Sequence, residues 1–343
     1  MKVSVICTVL NEGQAIQKLL DSLAEQTHLP DEMIFVDGGS TDGTVAILEE
    51  YAATRQLPLR VMVEPGANIS RGRNIAIETA AGPIIASTDA GVRLDPSWLE
   101  ELLKPYQATP PPAVVSGFFV ADPQTAFEVA MGATVLPALA DVNPVTFLPS
   151  SRSIAFLKSS WQAAGRYPEW LDFCEDLIFD FRLRDAVGPF AFASKAVVYF
   201  RPRRTLRAFF KQYYQYARGD GKADLWRKRH AIRYLTYLAA LPLLLVLTFR
   251  GSPWWGLFGV ILGSLGMFYT PYRRLPRLWS RLTALEKLRA ILWIPLIRIT
   301  GDIAKMMGYP VGWKWRLEHL ATQPELRWRQ PTSVLDGITQ RHP

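Results

Sequence analysis

The sequence predicts an α/β protein: a mostly parallel sheet flanked by helices, followed by α-helical membrane segments. Over the first two hundred residues, short apolar runs alternate with stretches of helical spacing, joined by short polar connections. That alternation is how a parallel sheet with crossover helices reads. Beyond residue 200 the chain changes character, concentrating its Trp, its long apolar runs and most of its excess positive charge. Carboxylates also stand where two of the apolar runs stop, at Asp37 and Asp89.

Val3–Val9 reads as a buried first strand, closed by Leu10-Asn11-Glu12-Gly13. It is too short and too quickly polar to be a signal peptide. Residues 14–26 place Ile16, Leu19, Leu20 and Leu23 on one face of a helix. Pro30-Asp31 ends it, and Met33-Ile34-Phe35-Val36 is a second strand terminating in Asp37. In the loop Gly38-Gly39-Ser40-Thr41-Asp42-Gly43-Thr44, Ser40, Thr41 or Asp42 can cap a helix over Val45–Tyr51. Leu59–Val63 is a third strand, and Ser70–Ala80 a helix carrying Arg71, Arg73 and Asn74. After Gly82-Pro83, Ile84–Ala86 is the fourth strand, stopping at Ser87-Thr88-Asp89.

Further along, Trp98–Leu103 reads as a helix and Val114–Val120 as a strand, while the apolar, Pro-containing residues 125–147 carry no functional signal. Ser150–Phe156 is expected to be a strand, Trp161–Tyr167 a short helix and Ala196–Tyr199 the last strand.

Asp37 and Asp89 thus end two strands at one sheet edge, with Thr8 and Glu12 at a third strand end and Arg73 one helix away. That edge is where open α/β sheets bind ligands. Alone, Asp89 reads first as a cap of the following turn; convergence of several such groups is what points to a site. The 37–44 loop has no Lys and is not GxxxxGK[ST], which excludes an ATP-type P-loop, and no GxGxxG follows the first strand. A nucleotide held by strand-end acids remains. Glu175-Asp176 opens an amphipathic segment. Such a pair is either helix N-terminal charge, favoured by about 0.3–1 kcal/mol, or catalytic.

The two cysteines, Cys7 and Cys174, show no metal or disulfide spacing, consistent with a reducing cytosolic face. A net charge of +8 admits nucleic acid, but the basic residues lie beside apolar segments. That pattern fits an anionic membrane surface, and no nucleic-acid partner is expected.

Taken in order, TVLNEG, DGGSTDGT and GRNIAIETAAGPIIASTDAG resemble family 2 glycosyltransferases, the inverting enzymes with a Rossmann-like GT-A fold. The resemblance covers roughly residues 2–220. It implies that Thr8, Glu12 and Asp37 bind the nucleotide of a nucleotide-sugar donor, with UDP the commonest carrier. It implies that Asp89 belongs to the DxD motif, which holds a divalent metal, Mg²⁺ or Mn²⁺, on the diphosphate. It also implies Asp176 as general base, with Glu175 supporting it. Inverting transfer needs a carboxylate to take the acceptor proton and cationic help for the leaving diphosphate, a role open to Arg73 or Arg152. Taken alone, either arginine reads first as a surface salt-bridge residue.

Two departures matter. Asp89-Ala90-Gly91 lacks the second acid of DxD, leaving one protein carboxylate where a hard cation would also use phosphate and water. Gln212-Tyr213-Tyr214-Gln215-Tyr216 stands where processive members carry Gln-x-x-Arg-Trp, which argues against a polymerase.

The expected organisation is a GT-A domain over 1–200 and a basic, aromatic interfacial segment over 201–233. A transmembrane hairpin follows over 234–270, then a third membrane or interfacial helix over 285–309 and a polar tail over 310–343. Tyr234–Phe249 and Trp254–Tyr269 are at the short end of the roughly 17–25 residues a span needs. A buried helical hairpin of a soluble protein is the alternative. Flanking Arg and Lys place the catalytic domain in the cytoplasm, in a multi-pass protein of the plasma (inner) membrane. The expected activity is transfer of one sugar to a lipid-linked or other membrane-associated acceptor. A non-catalytic nucleotide-sugar-binding or scaffold protein is the alternative. A nucleotidyltransferase would carry a Gly-rich basic loop where this chain has TVLNEG.

Overall fold

The computed structural model describes residues 1–55 and 57–328. Two compact units emerge, Met1–Asp122 with Ala138–Arg201, and Pro123–Pro137 with Pro202–Pro343. Chain order through the first unit is β1 (Val3–Val9), α1 (Gln17–Ala24), β2 (Glu32–Asp37), α2 (Thr44–Arg55), β3 (Leu59–Val63), α3 (Ile69–Thr79), β4 (Ile84–Ser87), β5 (Val92–Leu94), α4 (Trp98–Leu103) and β6 (Val114–Ala121). After α5 (Ala126–Val135), a member of the second unit, it resumes with β7 (Ile154–Leu157), α6 (Lys158–Ala163), α7 (Glu175–Val187) and β8 (Ala191–Phe200).

The eight strands form one sheet in the order β3-β2-β1-β4-β7-β6-β8-β5. The β3-β2-β1-β4 half is parallel, as the helical crossovers between its strands require. The other half is mixed: β4·β7, β7·β6 and β8·β5 are antiparallel, and β6·β8 is parallel. The sheet is therefore less uniformly parallel than the sequence predicts. Successive side chains of β1 point to opposite faces. Val3, Val5, Cys7 and Val9 pack with Leu19, Leu20 and Leu23 of α1 on one side. Ile6 packs with Ala76 and Ile77 of α3 on the other. Fully burying each large apolar side chain stabilises by about 1.5–3 kcal/mol, so a central strand covered on both faces is the most strongly held element of the unit.

Register sets the functional edge. Val9 pairs with Asp37 of β2, and Ile6 with Ser87 of β4, which brings Asp89, two residues past Ser87, level with Thr8. Helix α3 lies close against β1 because Gly72 has no side chain: a Cβ there would sit 2.7 Å from Thr8 Cγ2. Two details differ from expectation. Strand β5 is too short to show a periodicity, and β7 begins at Ile154, leaving Ser150–Ser153 as a loop that carries Arg152.

In the second unit, α8 (Leu206–Lys222) is capped by the Thr205 hydroxyl. Helices α9 (Arg227–Leu235) and α10 (Leu241–Val246) join through π-turns into one helix, Arg227–Gly251. Ser252 then caps α11 (Pro253–Arg274), and α12 (Ala284–His319) opens with a Thr283/Glu286 capping box. Helices α8 and α12 meet backbone to backbone. A Cβ on Gly308 would lie 2.2 Å from the Tyr214 carbonyl oxygen, and one on Gly312 1.9 Å from that of Arg218. Helix α5 joins this unit through Phe127, edge-on to Trp293 at 5.0 Å. Nothing in linear order signals that an insertion between two sheet strands belongs there.

Helix Arg227–Gly251, 25 residues, is long and apolar enough to cross a membrane, and its most apolar stretch is not buried. Helix α11 folds back on it, with Gly256 and Gly259 admitting Thr248 and Leu244. It exposes Trp254, Phe258 and Val260 but does not reach the same apolarity. Two helices cover the residues expected to form a transmembrane hairpin, and among the described residues one of them, Arg227–Gly251, is long and apolar enough to cross a membrane. Residues 310–319, expected to begin a polar tail, instead complete α12, and 329–343 of that tail lie outside the described residues.

Candidate active site

Arg73 is the hub of the sheet edge. It sits on α3, 4% exposed, and its guanidinium donates to Asp89 Oδ1 at 2.9 Å and to Glu175 Oε1 at 2.8 Å. The Tyr167 ring lies 5.3 Å from its Cζ. A planar guanidinium presents its donors in a fixed fork, so separate nitrogens of Arg73 hold the two carboxylates in set directions. Arg152 approaches the same Asp89 from the other side, Nε to Oδ2 at 3.4 Å, with its guanidinium 4.5 Å from the Phe200 ring centre. One strand-end acid, one helix-start acid and two arginines from distant parts of the sequence therefore form one cluster.

Helix α7 delivers the acids. Cys174, just before it, has φ +65°, an uncommon conformation for a residue with a side chain. The turn it makes places Glu175 in the buried first position and leaves Asp176 half-buried beside it. Burial, then the neighbouring Asp176, pushes the Glu175 carboxyl up to about 7 against the opposing pull of Arg73. The Arg73 guanidinium is held above its usual range by Glu175, Asp89 and Asp176, against the effect of burial. Asp176 is thus within electrostatic reach of the hub.

Thr8, Glu12 and Asp37 occupy the neighbouring strand ends. The fully buried Asp37 carboxylate organises its own loop, accepting the Gly39 and Ser40 amides at 2.8 and 2.7 Å and the Ser40 hydroxyl at 2.5 Å. The Glu12 and Gly13 amides donate to Thr44 Oγ1, both at 3.0 Å, which ties the β1 turn to α2. Thr8, half-buried, faces Gly72. The Cys7 thiol shows the convergence of the edge. Its pKa is raised by burial and by both Asp89 and Glu12, and Arg73 opposes them.

Two residues of this region carry a role that the sequence does not assign. Asn74 is a buried hub whose amide oxygen accepts from Trp161 Nε1 and the Tyr167 amide, while its nitrogen donates to the Tyr167 carbonyl and Glu169. It fixes the Tyr167 ring beneath Arg73. Asp180, one helical turn after Asp176, is fully buried, and neither carboxyl oxygen has a hydrogen-bond partner. Burial, then the neighbouring Asp176, pushes its pKa well above its ordinary value. Its i, i+4 spacing from Asp176 was the available signal.

Among the described residues no three His, Cys, Asp or Glu side chains gather into a metal-binding group. The carboxylate of Asp89, 32% exposed at the sheet edge, offers a single hard oxygen donor. It suits a cation that completes its shell from diphosphate and water. Gly91 carries no side chain to add a second, although a Cβ there would meet nothing within 4 Å.

Residues 4–144 match the family model of glycosyl transferase family 2. The chain is 34% identical over 102 residues to the uncharacterized glycosyltransferase YibD of Escherichia coli (strain K12), covering 30% of this chain and 29% of YibD. It is 26% identical over 253 residues to the succinoglycan biosynthesis protein ExoA of Rhizobium meliloti (strain 1021), covering 70% of this chain and 75% of ExoA. The chain spans only 26% to 33% of the length of YibD, the Haloferax glycosyltransferase AglE and a Streptomyces validoxylamine A glucosyltransferase. Among solved structures, the mannosyltransferase PcManGT from Pyrobaculum calidifontis, in complex with GDP-Man and Mn²⁺, superposes with a TM-score of 0.53 at 19% identity. That alignment covers 92% of this chain and 87% of PcManGT and shows a shared fold. The motifs, the GT-A sheet and the family-model match agree: residues 4–144 match glycosyl transferase family 2, on a fold shared with PcManGT.

Proposed function

We propose that this chain is an inverting glycosyltransferase that moves one sugar from a nucleotide-sugar, a UDP-sugar first among candidates, to a hydroxyl of a lipid-linked or other membrane-associated acceptor. The observation that carries the reading is the Arg73 bridge between Asp89, at the expected diphosphate position, and Glu175, beside the expected base. Thr8, Glu12 and Asp37 form the nucleoside end. Asp176 takes the proton from the acceptor hydroxyl as that oxygen attacks the anomeric carbon and the bond to the diphosphate breaks. Glu175, held by Arg73, keeps the base aligned. Charge developing on the leaving diphosphate is met by Arg152 and Arg73. Asp89 would hold Mg²⁺ or Mn²⁺, which supplies Lewis-acid stabilisation of that same charge. Helix Arg227–Gly251 anchors the protein in the plasma membrane as a multi-pass chain, with the catalytic unit on the cytoplasmic, Arg-rich side.

The test is a thermal-shift screen of the purified chain against UDP, GDP, CDP and TDP, with and without Mn²⁺. Stabilisation by one diphosphate, larger with metal, supports the reading and identifies the donor base. No shift with any of them would transfer the weight to a non-catalytic scaffold. The Asp176→Asn variant should keep that shift while transfer drops by about 10²–10⁴. Parallel loss of both would make Asp176 structural.

A further inference from the structure

The nucleotide-sugar reading leaves a second charged cluster, wholly within the helical unit, without a task. Asp302 on α12 is nearly buried and already has two partners: Arg233 Nε donates to Oδ1 at 2.7 Å, and the Tyr237 hydroxyl to Oδ2 at 3.1 Å. Two more cations stand on the same face of α12. Arg298 Nε lies 3.9 Å from Oδ2 and makes no hydrogen bond. Lys305 Nζ lies 5.0 Å from the Tyr213 ring centre, a π-face rather than an anion. Asp220, the other nearby acid, faces His230 at 3.2 Å.

Arg233, Arg298 and Lys305 outnumber the two acids Asp302 and Asp220, leaving one positive charge in excess in a partly desolvated place, which is costly unless an anion completes it. The surroundings indicate what kind of anion. On the same two helices Leu235 and Leu238 are 64% and 67% exposed, and Ile299 and Ile303 40% and 44%. A small hydrated anion has no use for flanking alkyl surface; an anionic head on an apolar tail matches both features.

We propose that Arg298 and Lys305, supported by Arg233, bind the phosphate of a lipid phosphomonoester whose acyl chains lie along Ile299, Ile303 and the exposed face of Arg227–Gly251. The phosphate oxygens would accept from the guanidinium and the ammonium, and Asp302 would hold Arg233 in place. The assignment rests on the membrane placement proposed above, but the site is distinct from the nucleotide-sugar residues.

The full chain in dodecyl maltoside would be titrated with dioleoyl phosphatidic acid, with dioleoylglycerol and with inorganic phosphate, reading the unfolding temperature. The expected result is a saturable rise with phosphatidic acid alone. Losing one charge-assisted contact weakens binding about tenfold or more, so Arg298→Gln and Lys305→Gln should each do so. Lys305→Arg should restore binding, and Lys228→Gln, outside the cluster, should leave it unchanged. An equal rise with dioleoylglycerol would overturn the phosphate assignment, as would undiminished binding by both Gln variants or equal weakening by Lys228→Gln. An equal rise with inorganic phosphate would overturn the lipid. Flotation with neutral phosphatidylcholine vesicles reports the membrane placement separately, and its failure would leave the detergent result standing.

Discussion

Replacing Arg73 with Met keeps the length and apolar stem of the side chain and removes the fork that joins the two halves of the site. On the Glu175 side, a charge-assisted contact at 2.8 Å to a carboxyl 7% exposed is lost; contacts of this kind contribute about 1.5–3 kcal/mol. On the Asp89 side the loss is nearer 1 kcal/mol, roughly the value of a partly exposed pair. Asp89 is 32% exposed and keeps Arg152 at 3.4 Å. Together they make about 3 kcal/mol, or about 6–12 °C in the unfolding of a unit of this size.

The pH dependence has a definite sign. Glu175 is raised to about 7 in the folded chain, above its ordinary value. Its stabilising contribution is therefore complete below the unfolded value and is lost as pH rises through the folded one. Arg73 opposes that rise, so without it the folded value climbs further and the loss extends to higher pH. Thermal unfolding followed by circular dichroism at about pH 5.5 and about pH 8.5 should show a larger deficit for the variant at the higher pH. A deficit that shrinks with rising pH, or a variant that melts with the wild type at both, would falsify the account of Arg73 as the counter-ion of Glu175. Arg73→Lys, with its charge on a single nitrogen, should recover less than half of the loss.

Asp180→Asn should gain stability relative to the wild type as pH rises above the ordinary carboxylate range. The raised folded value of Asp180 makes the wild type lose stability over that range, and an amide cannot titrate; parallel melting curves across pH would show that the carboxyl has a partner after all. Gly91→Asp has open space for its side chain and supplies the missing second acid. It should fold normally and lower the Mn²⁺ concentration needed for half-maximal nucleotide stabilisation several-fold; an unchanged or higher requirement would exclude metal from this edge. Gly312→Val should break the α8–α12 contact, because its Cβ would lie 1.9 Å from the Arg218 carbonyl oxygen. A cost above the roughly 1–3 kcal/mol of ordinary overpacking is expected, seen as earlier proteolysis of the helical unit, and wild-type resistance would contradict the close crossing.

What the sequence determined by itself was local. The parallel half of the sheet was legible because each strand there is an apolar run bounded by turn residues, and Leu59–Val63 was read to the residue. The acids at strand ends and the N-terminal position of Glu175-Asp176 on α7 follow from the same local signals. The positions of the candidate residues along the elements were therefore visible. Their partnerships were not. Arg73 and Glu175 stand 102 residues apart, and no local pattern says that one guanidinium reaches both Glu175 and Asp89. The burial of Asp180 between Phe179 and Phe181 depends equally on packing, as does the assignment of α5 to the helical unit. Helix α12 shows the limit most clearly, since Gly308 and Gly312 read as weak helix formers until α8 lies against them. Periodicity records which face a residue occupies, whereas a contact between distant segments depends on how the elements pack, and only the tertiary structure contains that.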